Sequence, residues 1–181
     1  MAAVSPDPVT QAAAYQQHLL GLLGQDDPAE VQATTRAAIL EVLTDAASDL
    51  RTRPAPGEWS VLELLGHLLD AEIVVSGRYR WVLSQDRPPL FGYDQDRWVE
   101  RLHQDDDVDG LLDLFEGLRR ANLALWQRTP VEDRNRVGMH RERGPESYDL
   151  TFRLIAGHDR VHLDQADRAL AAVRRGGSSA G

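Results

Sequence analysis

Cysteine and lysine are both missing from this chain of 181 residues, and each absence removes a class of chemistry. Without cysteine there are no disulfides, no thiolate nucleophile and no cysteine-containing zinc site. Without lysine no Schiff base can form on the protein. A guanidinium does not lose its proton, so histidine is the basic side chain that remains for general-base work. Candidate chemistry therefore falls on histidines and carboxylates.

Long apolar runs and an excess of positive charge are missing as well. No uninterrupted run approaches the roughly 18–20 apolar residues of a membrane span. The first residues carry neither the charged nor the apolar region of a signal peptide, so we expect a cytoplasmic protein with no membrane partner. The chain has 20 basic and 29 acidic residues and a net charge of −9, which works against binding nucleic acid.

The apolar residues that are present recur at three- and four-residue steps almost throughout, which predicts amphipathic helices. Ser60 with Glu63 forms a capping-box pattern that begins one of them. We expect four long helices, which begin near residues 28, 60, 107 and 148. We also expect a short N-terminal helix from residue 9 and a short helix near residue 94 inside a connection. No strand pattern competes, and residues 131–147 read as a polar loop.

Four long amphipathic helices predict an all-α fold, a four-helix bundle whose sites are built from inward-facing side chains. We place this bundle domain at residues 28–175. Residues 1–27 form an N-terminal extension that contains the extra helix. The glycine- and serine-rich residues 176–181 are predicted to be a disordered tail.

His158 and His162 are four residues apart, so a helix places them on one face, about 5–6 Å apart at Cβ. They continue the buried stripe of the last helix, and His67 lies on the buried side of another. Three histidines with an open fourth position are the arrangement of catalytic zinc sites, although nickel, iron and manganese also accept imidazole. A histidine in a core is more often a packed structural residue, so a bundle without metal stays an alternative.

The run from His158 to His162 also invites comparison with the HExxH motif of metalloproteases. Asp159 replaces the glutamate that acts as the base in that motif, and no third ligand follows downstream. We therefore disfavour a protease.

Three further side chains fall on the same helix faces as the predicted ligands. Asp70 and Glu63 flank His67 and are candidate general bases, and Gln165 follows His162. Asp70 and Gln165 are candidates for orienting a ligand through a hydrogen bond. The alternatives are that Glu63 only caps its helix and that Asp70 is solvated.

The ordered set of these residues resembles the DinB/YfiT-like superfamily. The resemblance spans residues 28–172 and rests on several short segments, namely Pro54–Ser60 with Glu63, His67, Asp70 and Glu72; Tyr93-Asp94 before Trp98; Arg119; His140 before Gly144; and His158, His162 and Gln165. It implies an up-down-down-up four-helix bundle, frequent homodimers and one divalent metal ion on His67, His158 and His162. Members with known activity are thiol S-transferases that use bacillithiol, mycothiol or glutathione, and others are described as metal-dependent hydrolases.

The leading functional hypothesis is a metal-dependent transferase that conjugates a small thiol to an electrophile. Arg119 would bind a carboxylate of either molecule, or else form a surface salt bridge with Glu116 or Asp113. Tyr93, Trp98 and Tyr148 would line the pocket. His140 would be a proton shuttle, a lid residue or simply exposed, and we favour the last two. The alternatives are a metal-dependent hydrolase with Asp70 or Glu63 as base, and a non-catalytic stress protein that binds metal or a small ligand.

Overall fold

The computed structural model describes residues 6–8 and 10–177, and most of them are helical. The predictions for residues 1–5, 9 and 178–181 concern positions outside the described residues. The helices are α1 (Ala12–Leu23), α2 (Pro28–Ala46), α3 (Val61–Ser84), α4 (Gln95–Leu102), α5 (Val108–Arg128) and α6 (Tyr148–Gly177).

Capping side chains mark the starts of three of the long helices, α2, α3 and α5. The carboxylate of Asp27 accepts hydrogen bonds from the backbone N–H groups of Ala29 and Glu30, which satisfies two donors at the start of α2. Ser60 and Glu63 form the predicted capping box at the start of α3. Asp107 accepts from the backbone of Gly110 and caps α5.

Helices α2, α3, α5 and α6 form the bundle. Both α5 and α6 pack against α2 and α3. One half of the core surrounds the fully buried Phe115 and contains leucines and an isoleucine of α2, α3 and α5. The other half is aromatic, with the rings of Trp126 and Phe152 stacked at 4.0 Å between centroids. The predicted all-α four-helix bundle is confirmed.

Three short strands were not predicted: β1 (Pro89–Leu90), β2 (Val137–His140) and β3 (Gly144–Ser147). β2 pairs in parallel with β1 and antiparallel with β3, and Gly144, the first residue of β3, takes a positive φ of 78°. The prediction of a loop over residues 131–147 is therefore wrong. Strands of two to four residues are too short to produce a recognisable alternating pattern. Strand β2 contacts α3, and strand β3 contacts α6.

Two predicted boundaries also change. α6 continues to Gly177, so the predicted disordered tail begins too early at residue 176. α1 begins at Ala12 rather than at residue 9, and it packs closely along α6. Among residues 6–8 and 10–177, no helix is long and apolar enough to cross a membrane.

Gly157 permits the close contact between α1 and α6, and its replacement gives a testable prediction. A Cβ atom at Gly157 would lie 2.2 Å from the backbone carbonyl oxygen of Leu19. We expect Gly157→Ala to push α1 away and to reduce the free energy of unfolding by about 1–3 kcal/mol. Urea denaturation measures the loss, and hydrogen exchange shows whether the amides of α1 become less protected.

Gly117 supplies the matched control, because a Cβ atom there would meet nothing within 4 Å. Gly117→Ala removes a flexible residue from α5 and is expected to stabilise the protein by about 0.5–1 kcal/mol. Equal effects of the two substitutions would contradict the role assigned to Gly157.

Candidate metal centre

Three histidine side chains converge between α3 and α6. The Nε2 atom of His67 lies 3.1 Å from Nε2 of His158 and 3.2 Å from Nε2 of His162. All three residues are buried, with exposed fractions of 1%, 8% and 6%. Within residues 6–8 and 10–177 they form the one group of potential metal ligands, and their ligand atoms lie within 4.8 Å of one another.

Burial keeps these imidazoles neutral. It is the main cause that lowers the pKa of His67 and of His158 well below the ordinary value, and the neighbouring histidines add to the effect. Burial also lowers the pKa of His162 to about 4, despite a hydrogen bond with Gln165. Neutral imidazoles are the form that binds a metal ion, so protons do not compete for these nitrogens near pH 7.

The arrangement fits a divalent metal ion. Ligands of a tetrahedral zinc ion at about 2.0–2.1 Å stand roughly 3.3–3.4 Å apart, close to the two Nε2 separations. The Oε1 atom of Gln165 lies 2.9 Å from Nδ1 of His162, so it accepts the Nδ1 hydrogen and leaves the Nε2 lone pair facing the cluster. Three lone pairs that converge in a buried site repel one another, and a cation relieves that repulsion.

The other nitrogens of the cluster differ from that of His162. The Nδ1 atoms of His67 and His158 are buried without a hydrogen-bond partner among the described residues. The ring of Trp59 lies 5.0 Å from the ring of His67 and 6.4 Å from that of His162, measured between centroids. Packing by Trp59 therefore helps to hold two of the three rings, a contact that the sequence analysis did not predict.

The two candidate bases are engaged elsewhere. Glu63 binds the backbone N–H of Ser60 and the guanidinium of Arg53, and these hydrogen bonds outweigh burial and lower its pKa. The Oδ2 atom of Asp70 lies 2.8 Å from Nε2 of His103, and burial raises its pKa despite that bond. Neither carboxylate belongs to the histidine cluster.

His103 was missed by the sequence analysis. Its ring is buried, binds Asp70 of α3 through Nε2 and binds Asp106 through Nδ1. Burial lowers the pKa of His103, but the bonds to the two carboxylates outweigh burial and raise it. Its position after α4 gave no periodic signal, because the residue lies in an irregular connection.

A cavity of about 500 Å³ opens beside two of the histidines, His67 and His158. Tyr93 lines it, and the ring centroid of Tyr93 lies 6.5 Å from that of His67. Trp98 packs against Tyr93 at 4.6 Å and is not itself a lining residue. A second cleft, of about 780 Å³, is lined by His162 and Gln165, so each of the three histidines borders a space that a small molecule can enter.

Arg119 and His140 are both buried, whereas the sequence predicted a surface or pocket position for each of them. Arg119 is 4% exposed and binds Glu72 and Asp159 in the bundle core, so the predicted surface salt bridge with Glu116 or Asp113 is wrong. It is not a lining residue of either cleft, so neither cleft offers it a substrate carboxylate. His140 is 2% exposed on β2, so the exposed position predicted for it is also wrong.

The comparison with known families decides the assignment. The family model of the DinB superfamily matches residues 30–166. The chain belongs to the DinB superfamily. This confirms the resemblance that the ordered motifs indicate, and the superfamily match contains all three clustered histidines.

Individual DinB relatives are more distant. A protein of Oceanobacillus iheyensis, provisionally named a metal-dependent hydrolase, is 23% identical over 114 residues, which are 63% of this chain and 66% of the relative. The chain thus spans slightly less than two thirds of that relative. A Bacillus cereus protein with the same provisional name is 26% identical over 125 residues, 66% of this chain and 72% of the relative.

The fold is shared with a solved structure. It is YfiT from Bacillus subtilis, described as a probable metal-dependent hydrolase with an unusual four-helix bundle topology. The TM-score is 0.67 with 23% identity, and the match covers 96% of this chain and 94% of YfiT. The agreement extends over nearly the whole chain, so it includes α1 as well as the bundle.

Proposed function

We propose that this DinB protein is a divalent-metal-dependent transferase that conjugates a small thiol to an electrophile. The observation that carries the proposal is the convergence of three neutral Nε2 atoms beside a cavity of about 500 Å³. A divalent ion on His67, His158 and His162 supplies a Lewis acid that lowers the pKa of a thiol or of water. Zinc or nickel are the ions that we expect, with iron or manganese as alternatives.

The residues around the cluster favour a thiol as the nucleophile. Attack by water is assisted by a positioned base, and among the described residues no carboxylate joins the three histidines. Asp70 and Glu63, the two candidates, bind His103 and Arg53 instead. A thiol with a lowered pKa needs no such base, and the thiol must come from outside because the chain has no cysteine.

The roles of individual side chains follow from their contacts. Gln165 holds His162 in the tautomer that presents Nε2. Trp59 packs against His67 and His162 and restricts the orientation of both rings. Tyr93 forms a wall of the cavity near His67, where the organic part of the thiol or electrophile would lie.

Hydrolysis is the second candidate function, favoured by the provisional names of the relatives. One experiment separates the two. Protein reloaded with zinc, nickel, manganese or iron is assayed with glutathione or N-acetylcysteine and a chlorodinitrobenzene electrophile, and separately with a nitrophenyl ester without thiol. Our proposal expects conjugation that requires metal and is lost in His158→Ala.

Ester hydrolysis without conjugation would instead establish the hydrolase. Protein that binds metal but catalyses neither reaction would be a binding protein, and the transferase proposal would then be wrong. The homodimer implied by the superfamily is a further proposal, which a native mass measurement of the metal-loaded protein tests.

A further inference from the structure

Arg78 is a buried cation in the wall of the cavity that reaches the histidine cluster. It is 7% exposed, and the same cavity is lined by His67 and His158. Arg78 follows His67 on α3 by three helical turns, about 16 Å along the helix axis, and this spacing keeps both residues on nearly the same face. The cavity therefore joins a candidate metal site to a guanidinium.

The charge of Arg78 has no carboxylate partner within residues 6–8 and 10–177. One terminal nitrogen donates to the backbone carbonyl oxygen of Phe91 and approaches Nε2 of His140 at 3.3 Å. Its Nε atom is buried and has no hydrogen-bond partner. The nearby carboxylate of Glu146 is engaged by Arg143 and by Gln16. Buried charges are ordinarily paired, so this guanidinium lacks its usual counterion.

His140 does not compensate for the missing carboxylate. Burial, followed by the charge of Arg143, lowers its pKa to about 4, so the ring is neutral at pH 7. Its Nδ1 atom accepts a hydrogen bond from the backbone N–H of Glu142 at 3.3 Å. A neutral imidazole accepts at one ring nitrogen only, so it cannot also accept from Arg78. One of the two donors is left without an acceptor.

The space between Arg78 and the histidines is mainly apolar. Ala71, Val75, Leu154 and Ile155 line it, together with Leu19 of α1. The carboxylates that line the cavity are exposed, namely Asp7, Asp94, Asp96 and Glu142. A ligand that fills this space has an apolar middle and presents an anion to the buried cation.

We propose that Arg78 is the anchor of a carboxylate-binding subsite in this cavity, and that the natural ligand is an elongated organic acid. The carboxylate accepts hydrogen bonds from the terminal nitrogens of the Arg78 guanidinium, and the apolar middle packs along α3 and α6. The opposite end of the ligand reaches His67 and His158. The contact with His67 and His158 rests on the proposed function, whereas the carboxylate subsite at Arg78 does not require a metal.

The test uses metal-free protein, so that no carboxylate can bind a metal ion. Octanoate and its uncharged analogue octanamide are titrated by calorimetry into the wild-type protein and into Arg78→Met. We expect octanoate to bind the wild type at least about tenfold more tightly than octanamide, because charge-assisted hydrogen bonds are the stronger kind. Arg78→Met should remove this preference, and Arg78→Lys should restore part of it.

Arg120→Met is the matched control, because Arg120 is exposed on α5 and does not line the cavity. It removes the same formal charge and should leave octanoate affinity unchanged. Equal affinity for octanoate and octanamide in the wild type, or unchanged octanoate binding in a folded Arg78→Met protein, would overturn the subsite. Arg78-dependent octanoate binding without any metal-dependent transfer would retain the subsite and reject the transferase.

Discussion

His67→Ala is expected to abolish stoichiometric metal binding. The wild-type protein should hold close to one equivalent of metal after reloading and desalting, and the variant should hold less than about a tenth of an equivalent. His67 is the ligand that lies within 3.2 Å of both other Nε2 atoms. Without it, His158 and His162 offer two ligands from one helix and no contribution from α3. Mass-spectrometric metal analysis of protein purified without a nickel column measures the content.

His67→Ala should lower the affinity for metal more than a substitution of a residue that only orients a ligand. Substituting a residue that only orients a metal ligand costs about 10–100-fold in affinity, so we expect that range for Gln165→Ala and more than about 100-fold for His67→Ala. Added metal should raise the unfolding temperature of the wild type, because it binds the folded state, but not that of His67→Ala.

His18→Ala controls for the loss of an imidazole, since His18 lies on α1 outside the cluster. It should retain one equivalent of metal. A full equivalent in His67→Ala would show that the three histidines are a packed core group rather than a metal site.

Much of the bundle was predictable because its helices combine an apolar stripe with local start signals. The capping box of Ser60 and Glu63 and the cap at Asp107 are encoded within four residues, and they fix the starts of α3 and α5. The spacing of His158 and His162 specifies one face of one helix in the same local way. The strands and the burial of His140 depend instead on residues far apart in the chain, such as the pairing of Leu90 with His140.

The polar interior was harder to predict for a physical reason. A charged residue on a helix is ordinarily solvated, so the sequence gives no sign of which charges are paired inside the core. Asp159 was compared only with the base of a protease motif, whereas it is 2% exposed and binds Arg119. The pairing partner comes from another helix, 40 positions away.

Arg119→Met is expected to cause the largest loss of stability among the proposed variants. The guanidinium lies between Glu72 of α3 and Asp159 of α6, with nitrogen–oxygen distances of 2.9 and 2.6 Å. Burial lowers the pKa of Arg119, but these two carboxylates outweigh burial and raise it, so the charge is firmly held. Removing the guanidinium leaves Glu72 and Asp159 buried. Neutral hydrogen-bond donors still contact them, but no positive charge does.

The expected cost is about 3–5 kcal/mol in the free energy of unfolding, because breaking a buried ion pair leaves an uncompensated charge. Urea denaturation at pH 7, followed by circular dichroism, measures it. The matched control is Arg36→Met, which breaks a 2.6 Å ion pair with Glu116 whose side chains are 44% and 42% exposed. That surface pair should contribute less than about 1 kcal/mol.

A triple variant tests whether the two unpaired carboxylates cause this loss of stability. Arg119→Met combined with Glu72→Gln and Asp159→Asn removes all three charges but keeps an acceptor for Asn122, which donates to Glu72, and for Thr35, which donates to Asp159. Because the cost of the single variant comes from two unpaired carboxylates, the neutral triple variant should be more stable than Arg119→Met alone. If it is less stable, the cost of Arg119→Met does not come from the unpaired charges of Glu72 and Asp159. The order of the two variants therefore decides whether two uncompensated carboxylates between α3 and α6 cause the loss of stability.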